Sequence, residues 1–259
     1  YGSGCDYANY VLLGTRLPSG NGLDDPVPGF VVVPMSDCRM VEDWDTMGLA
    51  ATGSHAVALD DVFVPDHRAL PIPVFASSDA PGQVAFETKL GDYPVFSVGS
   101  HGLAATAVGC LQGALLEFAA MLKEWRAGAL GPTMGTQVAD FQSVQIRVGH
   151  AGAALKAAKA LLFRQMEDSR QALYDHGDAL DIGARIDNRI AQGYAIQLAI
   201  QGLDQLWGAA GGTGIRNKEI VQRAWRDAHA VSHHAFFNWD ALSAMYGQHN
   251  LGLDPIGLY

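Results

Sequence analysis

The feature that most limits how this chain folds is a change of apolar period near residue 95. Before it lie nearly all the prolines, and the apolar residues come in short β-branched runs: Tyr10-Val-Leu-Leu13, Phe30-Val-Val-Val-Pro34 and Ala56 through Pro65. Such runs, bounded by Gly, Pro, Asn and Asp, read as strands. Pro18 to Gly29 reads as a turn-rich connection, and Ile72 to Pro94 as a longer irregular one. Beyond this point Ala, Leu and Gln dominate, and the apolar spacing becomes that of helices.

Leu103, Ala107, Leu111, Leu115, Phe118 and Leu122 mark a first helix that frays at Gly128. Val138, Phe141, Val144 and Val148 lead through Leu155, Ala158 and Leu162 to Met166, a helix that could exceed about 45 Å at 1.5 Å per residue. Ile182, Ile186, Ile190, Tyr194 and Leu198 mark a third helix, stopped at Gly211-Gly212. Asn217 is placed to cap a fourth, with Glu219 favourable in its first turn, and that helix runs on through Asp240. The expected class is α+β: a small antiparallel β-barrel-like domain over 1–95, then a C-terminal four-helix bundle over 96–259 with short loops. The helical stripes are wide and rich in Ala, as expected of surfaces that also pack against other subunits.

Composition removes several functions. The 259 residues are 49% hydrophobic and carry a net charge of −10, with 17 scattered basic residues, which argues against a nucleic-acid surface. No uninterrupted apolar run reaches the ~18 to 20 residues of a membrane span, and no signal segment opens the chain. Cys5, Cys38 and Cys110 are odd in number and far apart, which fits a reducing compartment. A soluble cytoplasmic protein with no membrane or nucleic-acid partner is expected.

The candidate chemistry lies at the end and the beginning. The last predicted helix carries His229, His233 and His234 where a core helix usually carries Leu, and imidazoles manage protons near neutral pH. His229 and His233 have the spacing of a metal pair, but no His-Glu-x-x-His pattern or second ligand pair accompanies them, so no metal is expected. The Gly-rich Trp207 to Ile215 segment follows a helix and lacks the P-loop Lys, so neither phosphate fingerprint is met. Neither Ser3 nor Ser54 sits in a hydrolase elbow. Trp44, Trp207 and Trp239 read as packing.

Three segments together resemble the flavin-dependent monooxygenases built on the acyl-CoA dehydrogenase fold, the oxygenase components of two-component aromatic hydroxylases. They are Ser3-Gly-Cys-Asp-Tyr-Ala-Asn-Tyr-Val-Leu-Leu-Gly14, Trp44 through Pro65, and Gln222-Arg-Ala-Trp-Arg-Asp227 continuing to His234 and Asn238-Trp-Asp240. The resemblance implies a β domain and a helical bundle holding reduced flavin, FMNH2 or FADH2, with O2 as co-substrate. It also implies a C4a-hydroperoxyflavin that hydroxylates a small aromatic, phenolic substrate. A separate NAD(P)H:flavin reductase and a homotetramer would accompany it.

Residue by residue, the resemblance implies Ser3 as the hydroxyl near the flavin N5 and C4a region, and Thr52, Gly53 and Ser54 as the turn contacting the flavin. His234 corresponds to the active-site histidine, with His233 as its neighbour and substitute. Gly211, Gly212 and Thr213 belong to a loop that reaches a flavin in a neighbouring subunit. The family also carries an N-terminal helical domain with no counterpart in this sequence. A true acyl-CoA dehydrogenase is the rival enzyme, but where its glutamate base belongs this chain has His234-Ala235 in a helix expected to continue. A non-catalytic bundle that pairs with another chain is the rival outside enzymology.

Overall fold

The computed structural model describes residues 2–19, 22–75, 81–86, 94–128, 133–176 and 180–259. They fall into two units, Tyr1–Asp92 and Tyr93–Tyr259.

In the first unit, β1 (Tyr10–Ser19) and β2 (Gly22–Pro34) form an antiparallel hairpin, with Tyr10 opposite Pro34 and an irregularity between Leu17 and Ser19. β3 (Arg39–Val41) and β4 (Ala56–Ala58) make a separate two-stranded sheet, and β5 (Ala69–Pro71) joins the free edge of β2. Val11, Val31 and Val33 are buried while Val32 between them is exposed, the period-2 alternation of a half-buried strand. Leu13, Leu17, Val57, Val62 and Val64 complete this core.

Three strand expectations change. The Pro18–Gly29 stretch is largely strand where it is described: Pro26 and Pro28 lie within β2 and Pro28 pairs with Arg16, while residues 20 and 21 lie outside the described residues. β5 pairs with β2 only from Gly29 to Val31, clear of both prolines. Ala56 to Pro65 is strand only as far as Ala58, which pairs with Arg39 where β3 begins; Asp61, three residues on, adopts a left-handed φ of 48°. Among the described residues the strands form one sheet of three and one of two, and no closed barrel. Short helices α1 (Ile72–Phe75) and α2 (Pro81–Phe86) follow.

The second unit is helical: α3 (His101–Leu122), α4 (Gln142–Arg170), α5 (Ile182–Ala210), α6 (Ile220–Ser232) and α7 (Trp239–Asn250). α5 is central and packs on α3, α4, α6 and α7, while α3 packs on α4 and α6. Leu111, Phe118, Ile196, Leu203 and Leu206 are fully buried, and truncating such a Phe to Ala costs about 3–5 kcal/mol. Asp181 caps α5, its Oδ1 accepting from Ala184 N at 2.7 Å, and Gly211 ends it at φ 53°, a conformation glycine adopts without strain.

Helix boundaries depart from the sequence reading where local polar groups compete. Val138–Asp140 is a 3-10 turn, so α4 begins at Gln142, and the α3–α4 connection is long, holding a bridge between Arg126 and Gln137. Glu219, not Asn217, occupies the cap position of α6. The expected single helix through Asp240 is interrupted: α6 ends at Ser232, Ala235–Phe237 is a 3-10 turn, and Asn238 caps α7 by accepting from Ala241 N at 3.1 Å. One further expectation changes: Val95–Leu122 is long and apolar enough to cross a membrane, with a mean hydropathy of 1.5. Its Ala104, Ala107, Leu111, Ala114 and Phe118 are buried within the helical unit, while Leu103 and Leu116 are exposed.

Candidate active site

The first unit ties two turns into one. Gly2 N donates to His55 O at 3.1 Å, Gly4 N to Thr52 O at 2.7 Å, and the buried Cys5 thiol to Gly53 O at 3.0 Å. These bonds bring three of the sequence-predicted hydroxyls into a row. Ser3 Oγ lies 2.8 Å from Ser54 Oγ, and Ser54 Oγ lies 2.8 Å from Thr52 Oγ1. Ser54 is buried, Thr52 half-buried and Ser3 exposed. Gly53, at φ 49°, sits against Asp6 so closely that a Cβ there would lie 2.1 Å from Asp6 Oδ2.

The row ends on a carbonyl that the sequence reading did not single out. Leu49 O accepts from Thr52 Oγ1 at 2.8 Å, Thr52 N at 3.0 Å and Trp44 Nε1 at 3.1 Å. Leu49 itself is left-handed, at φ 55°, a strained conformation for a branched residue that clusters at functional sites. Trp44, read above as packing, therefore anchors the turn through its indole N–H. Its backbone N–H also donates to His55 Nδ1 at 3.1 Å, which leaves the proton of neutral His55 on Nε2, 3.7 Å from Asp6 Oδ1.

In the second unit the break between α6 and α7 exposes His233 and His234 in different chemical forms. His234 Nδ1 accepts from Phe236 N at 3.2 Å, so its neutral ring carries the proton on Nε2 and presents a donor. His233 Nδ1 lies 2.9 Å from His229 O, so it carries a proton there, and in a neutral ring Nε2 is the acceptor. Burial, and then the positive charge of Arg189, push the His234 pKa below its usual range and favour the neutral ring. Both histidines border an open recess of about 450 Å³, lined also by Ala235, Asn238, Trp239 and Asp240.

Arg189 is the supporting residue that sequence reasoning missed. It is 3% exposed on α5, and burial pulls its pKa down to about 10. It donates to Ser100 Oγ at 2.8 Å, Gln192 Oε1 at 3.2 Å, Leu258 O at 3.2 Å and Phe236 O. Its guanidinium also lies 5.5 Å from the Phe236 ring centroid. One cation thus ties the histidine turn to α3 and the C-terminal segment. An arginine within an apolar helical stripe was the available signal, since Arg is rarely buried without partners.

The remaining sequence candidates lie apart from these histidines. Gly211, Gly212 and Thr213 form a 3-10 turn before α6, whose thirteen residues separate it by roughly 20 Å from His233 at the far end. His229 faces the Trp225 ring at 4.0 Å, and its Nε2 is buried with no hydrogen-bond partner among the described residues. Trp207 packs on Trp225 and Trp239 on Tyr194, as expected of packing residues.

Comparison with known proteins gives one consistent answer. Residues 101–239 match the family described as acyl-CoA dehydrogenase, C-terminal domain. The chain is 34% identical to the FADH(2)-dependent resorcinol hydroxylase, oxygenase component, of Rhizobium sp. (strain MTP-10005), over all of this chain and 64% of that protein. Its fold is similar to that of XiaF from Streptomyces sp., solved in complex with FADH2 and glycerol. The TM-score is 0.87 at 27% identity, covering 99% of this chain and 63% of that one. It is also similar to the 3-HSA hydroxylase from Rhodococcus sp. RHA1, with a TM-score of 0.86 at 29% identity, covering 98% and 64%. The chain therefore spans a little under two thirds of the relatives it matches.

Proposed function

Because the chain belongs to the acyl-CoA dehydrogenase family through its C-terminal helical domain, we propose that it acts as the oxygenase component of a two-component flavin-dependent monooxygenase. It would hydroxylate a small phenolic substrate using O2 and reduced flavin delivered by a separate NAD(P)H:flavin reductase. The observation that carries this reading is the neutral His234 ring, locked as an Nε2–H donor where a dehydrogenase needs a carboxylate base. The FADH(2)-dependent resorcinol hydroxylase and the FADH2 complex of XiaF favour that form of the cofactor.

The residues present fit a reduced isoalloxazine. Ser3, Thr52 and Ser54 offer small hydroxyls beside a glycine, and the strained Leu49 turn holds them in place. Reduced flavin would supply two electrons and the activation of O2. The chain's own part is positional: the hydroxyl row binds the ring edge, His234 donates from Nε2 to a substrate oxygen, and His233 Nε2 is placed to accept the phenolic proton. The Gly211–Thr213 turn would reach a flavin held by another protomer of a homotetramer. Exposed Leu116, Ile146, Phe163 and Met166 on α3 and α4 support apolar subunit contacts. The proposed arrangement remains a β domain over 1–95 and a four-helix bundle over 96–259, in a cytoplasmic enzyme.

The test supplies chemically reduced FADH2, resorcinol and isotopically labelled O2. Hydroxylated product carrying one labelled oxygen is expected. Peroxide alone, whatever the phenol, or desaturation of an acyl-CoA, would overturn the reading. His234→Ala should lower the ratio of product to peroxide by ~10²-fold, within the range of a lost general acid or base, while flavin affinity changes little. An unchanged ratio would move the role to His233.

A further inference from the structure

We propose that the hydroxyls of Ser3, Ser54 and Thr52 form a one-way chain of hydrogen bonds that makes Ser3 an obligate acceptor, so that the turn selects reduced over oxidised flavin. This rests on the reading that the turn meets the flavin ring. It adds a direction to that contact, and two positioning residues that set it.

The direction follows from proton counting. A hydroxyl has one proton to give. Thr52 gives its proton to Leu49 O, a carbonyl with no proton to return, at 2.8 Å. Thr52 Oγ1 can then only accept along the 2.8 Å contact with Ser54, so Ser54 is the donor there. With its proton spent, Ser54 can only accept across the 2.8 Å contact with Ser3. Ser3 therefore donates inward, and its remaining lone pairs face outward from an exposed residue. Ser54 is 4% exposed, so bulk water does not readily repair the chain if any link turns round. Trp44 Nε1 and the Thr52 backbone N–H hold the terminal carbonyl in its strained place.

The flavin ring changes hydrogen-bonding character with redox state. The reduced ring carries an N–H at N5; the oxidised ring presents a bare nitrogen lone pair there. An acceptor-only Ser3 pairs with the first. Against the second it either meets lone pair with lone pair or reverses its own proton and leaves two oxygens 2.8 Å apart with nothing between them. Either way about one neutral hydrogen bond is lost, roughly fivefold in affinity. Thr52 and Ser54 act through Ser3 and touch no reacting atom.

Anaerobic calorimetric titration with FAD and with dithionite-reduced FADH2 gives a ratio of Kd values for each variant. The wild type should favour FADH2. Thr52→Val, nearly isosteric, releases the Ser54 proton and should cut the ratio roughly fivefold, one hydrogen bond's worth. Ser54→Ala, which frees the Ser3 proton, should do the same, and Thr52→Ser should restore the wild-type ratio. A general loosening of the turn would weaken both flavins alike and leave the ratio where it was. If the wild type binds both flavins equally, or Thr52→Val and Ser54→Ala keep its ratio, the one-way chain is refuted and the flavin site survives. If the wild type binds neither flavin, both this proposal and the proposed function fall.

Discussion

Replacing Arg189 by Lys retains the charge and removes the fork, which makes it the sharpest probe of what holds the histidine turn. The guanidinium reaches four acceptors on separate segments: Ser100 ahead of α3, Gln192 on α5, Phe236 in the turn and Leu258 near the end of the chain. A lysine has three donors on one nitrogen at the end of a different stem, and cannot span them. At least two charge-assisted hydrogen bonds should be lost, each worth about 1.5–3 kcal/mol, for a total of about 3–6 kcal/mol. At roughly 2–4 °C per kcal/mol for a domain of this size, the melting temperature should drop by about 10 °C. Differential scanning calorimetry of the two proteins measures it, with urea unfolding as a second estimate. A loss below about 1 kcal/mol would show that the turn does not depend on the fork. If the proposed oxygenase function holds, the same variant should lower the ratio of product to peroxide, because Phe236, whose N–H fixes the His234 ring, loses its carbonyl anchor.

Two further outcomes are expected. His101, His229 and His234 all have pKa values pushed down, in each case first by burial. The unfolded chain therefore binds protons more readily than the folded one, so stability is full above about pH 6.5 and declines as pH falls below it. Urea midpoints at pH 8 and pH 5.5 check the sign, and a midpoint that rises on acidification contradicts it. Gly53→Ala should destabilise the first unit by at least about 2 kcal/mol, since a left-handed alanine costs roughly 1–2 kcal/mol before any clash. Asp6→Ala in the same chain should recover the clash with Asp6 Oδ2 and leave the backbone cost, and full recovery would show that strain at φ 49° is negligible.

Much of this architecture is legible in the sequence because it follows from periodicity. The i, i+3 and i+4 rows of α3 and α5 are long and unambiguous, and Gly211 stops α5 where a left-handed residue is needed. The Ser3 and Thr52–Ser54 turns can be picked out as short polar motifs. What stays hidden is set by pairings distant along the chain. Pro26 and Pro28 argue for a loop, and only the pairing of β2 with β1, and with β5 from Gly29 onward, shows that they lie in a strand. The break after Ser232 is unreadable because the amphipathic pattern continues through it; His234 and Asn238 start the 3-10 turn and α7 with side-chain caps that local composition does not announce. Arg189 and Leu49 act through partners 47 and 3 residues away, Phe236 and Thr52, and only coordinates join them.

The interruption between α6 and α7 also bears on how readily the recess beside His234 can change shape. Exposed Ala235 sits beside His234 on a short connector, not within a helical repeat. Exchanging it for a bulkier or polar residue reshapes the recess without disturbing any i to i+4 ladder or rotating the faces of either flanking helix. Laboratory libraries aimed at this single spot should therefore vary the size and polarity of the recess at little cost to folding.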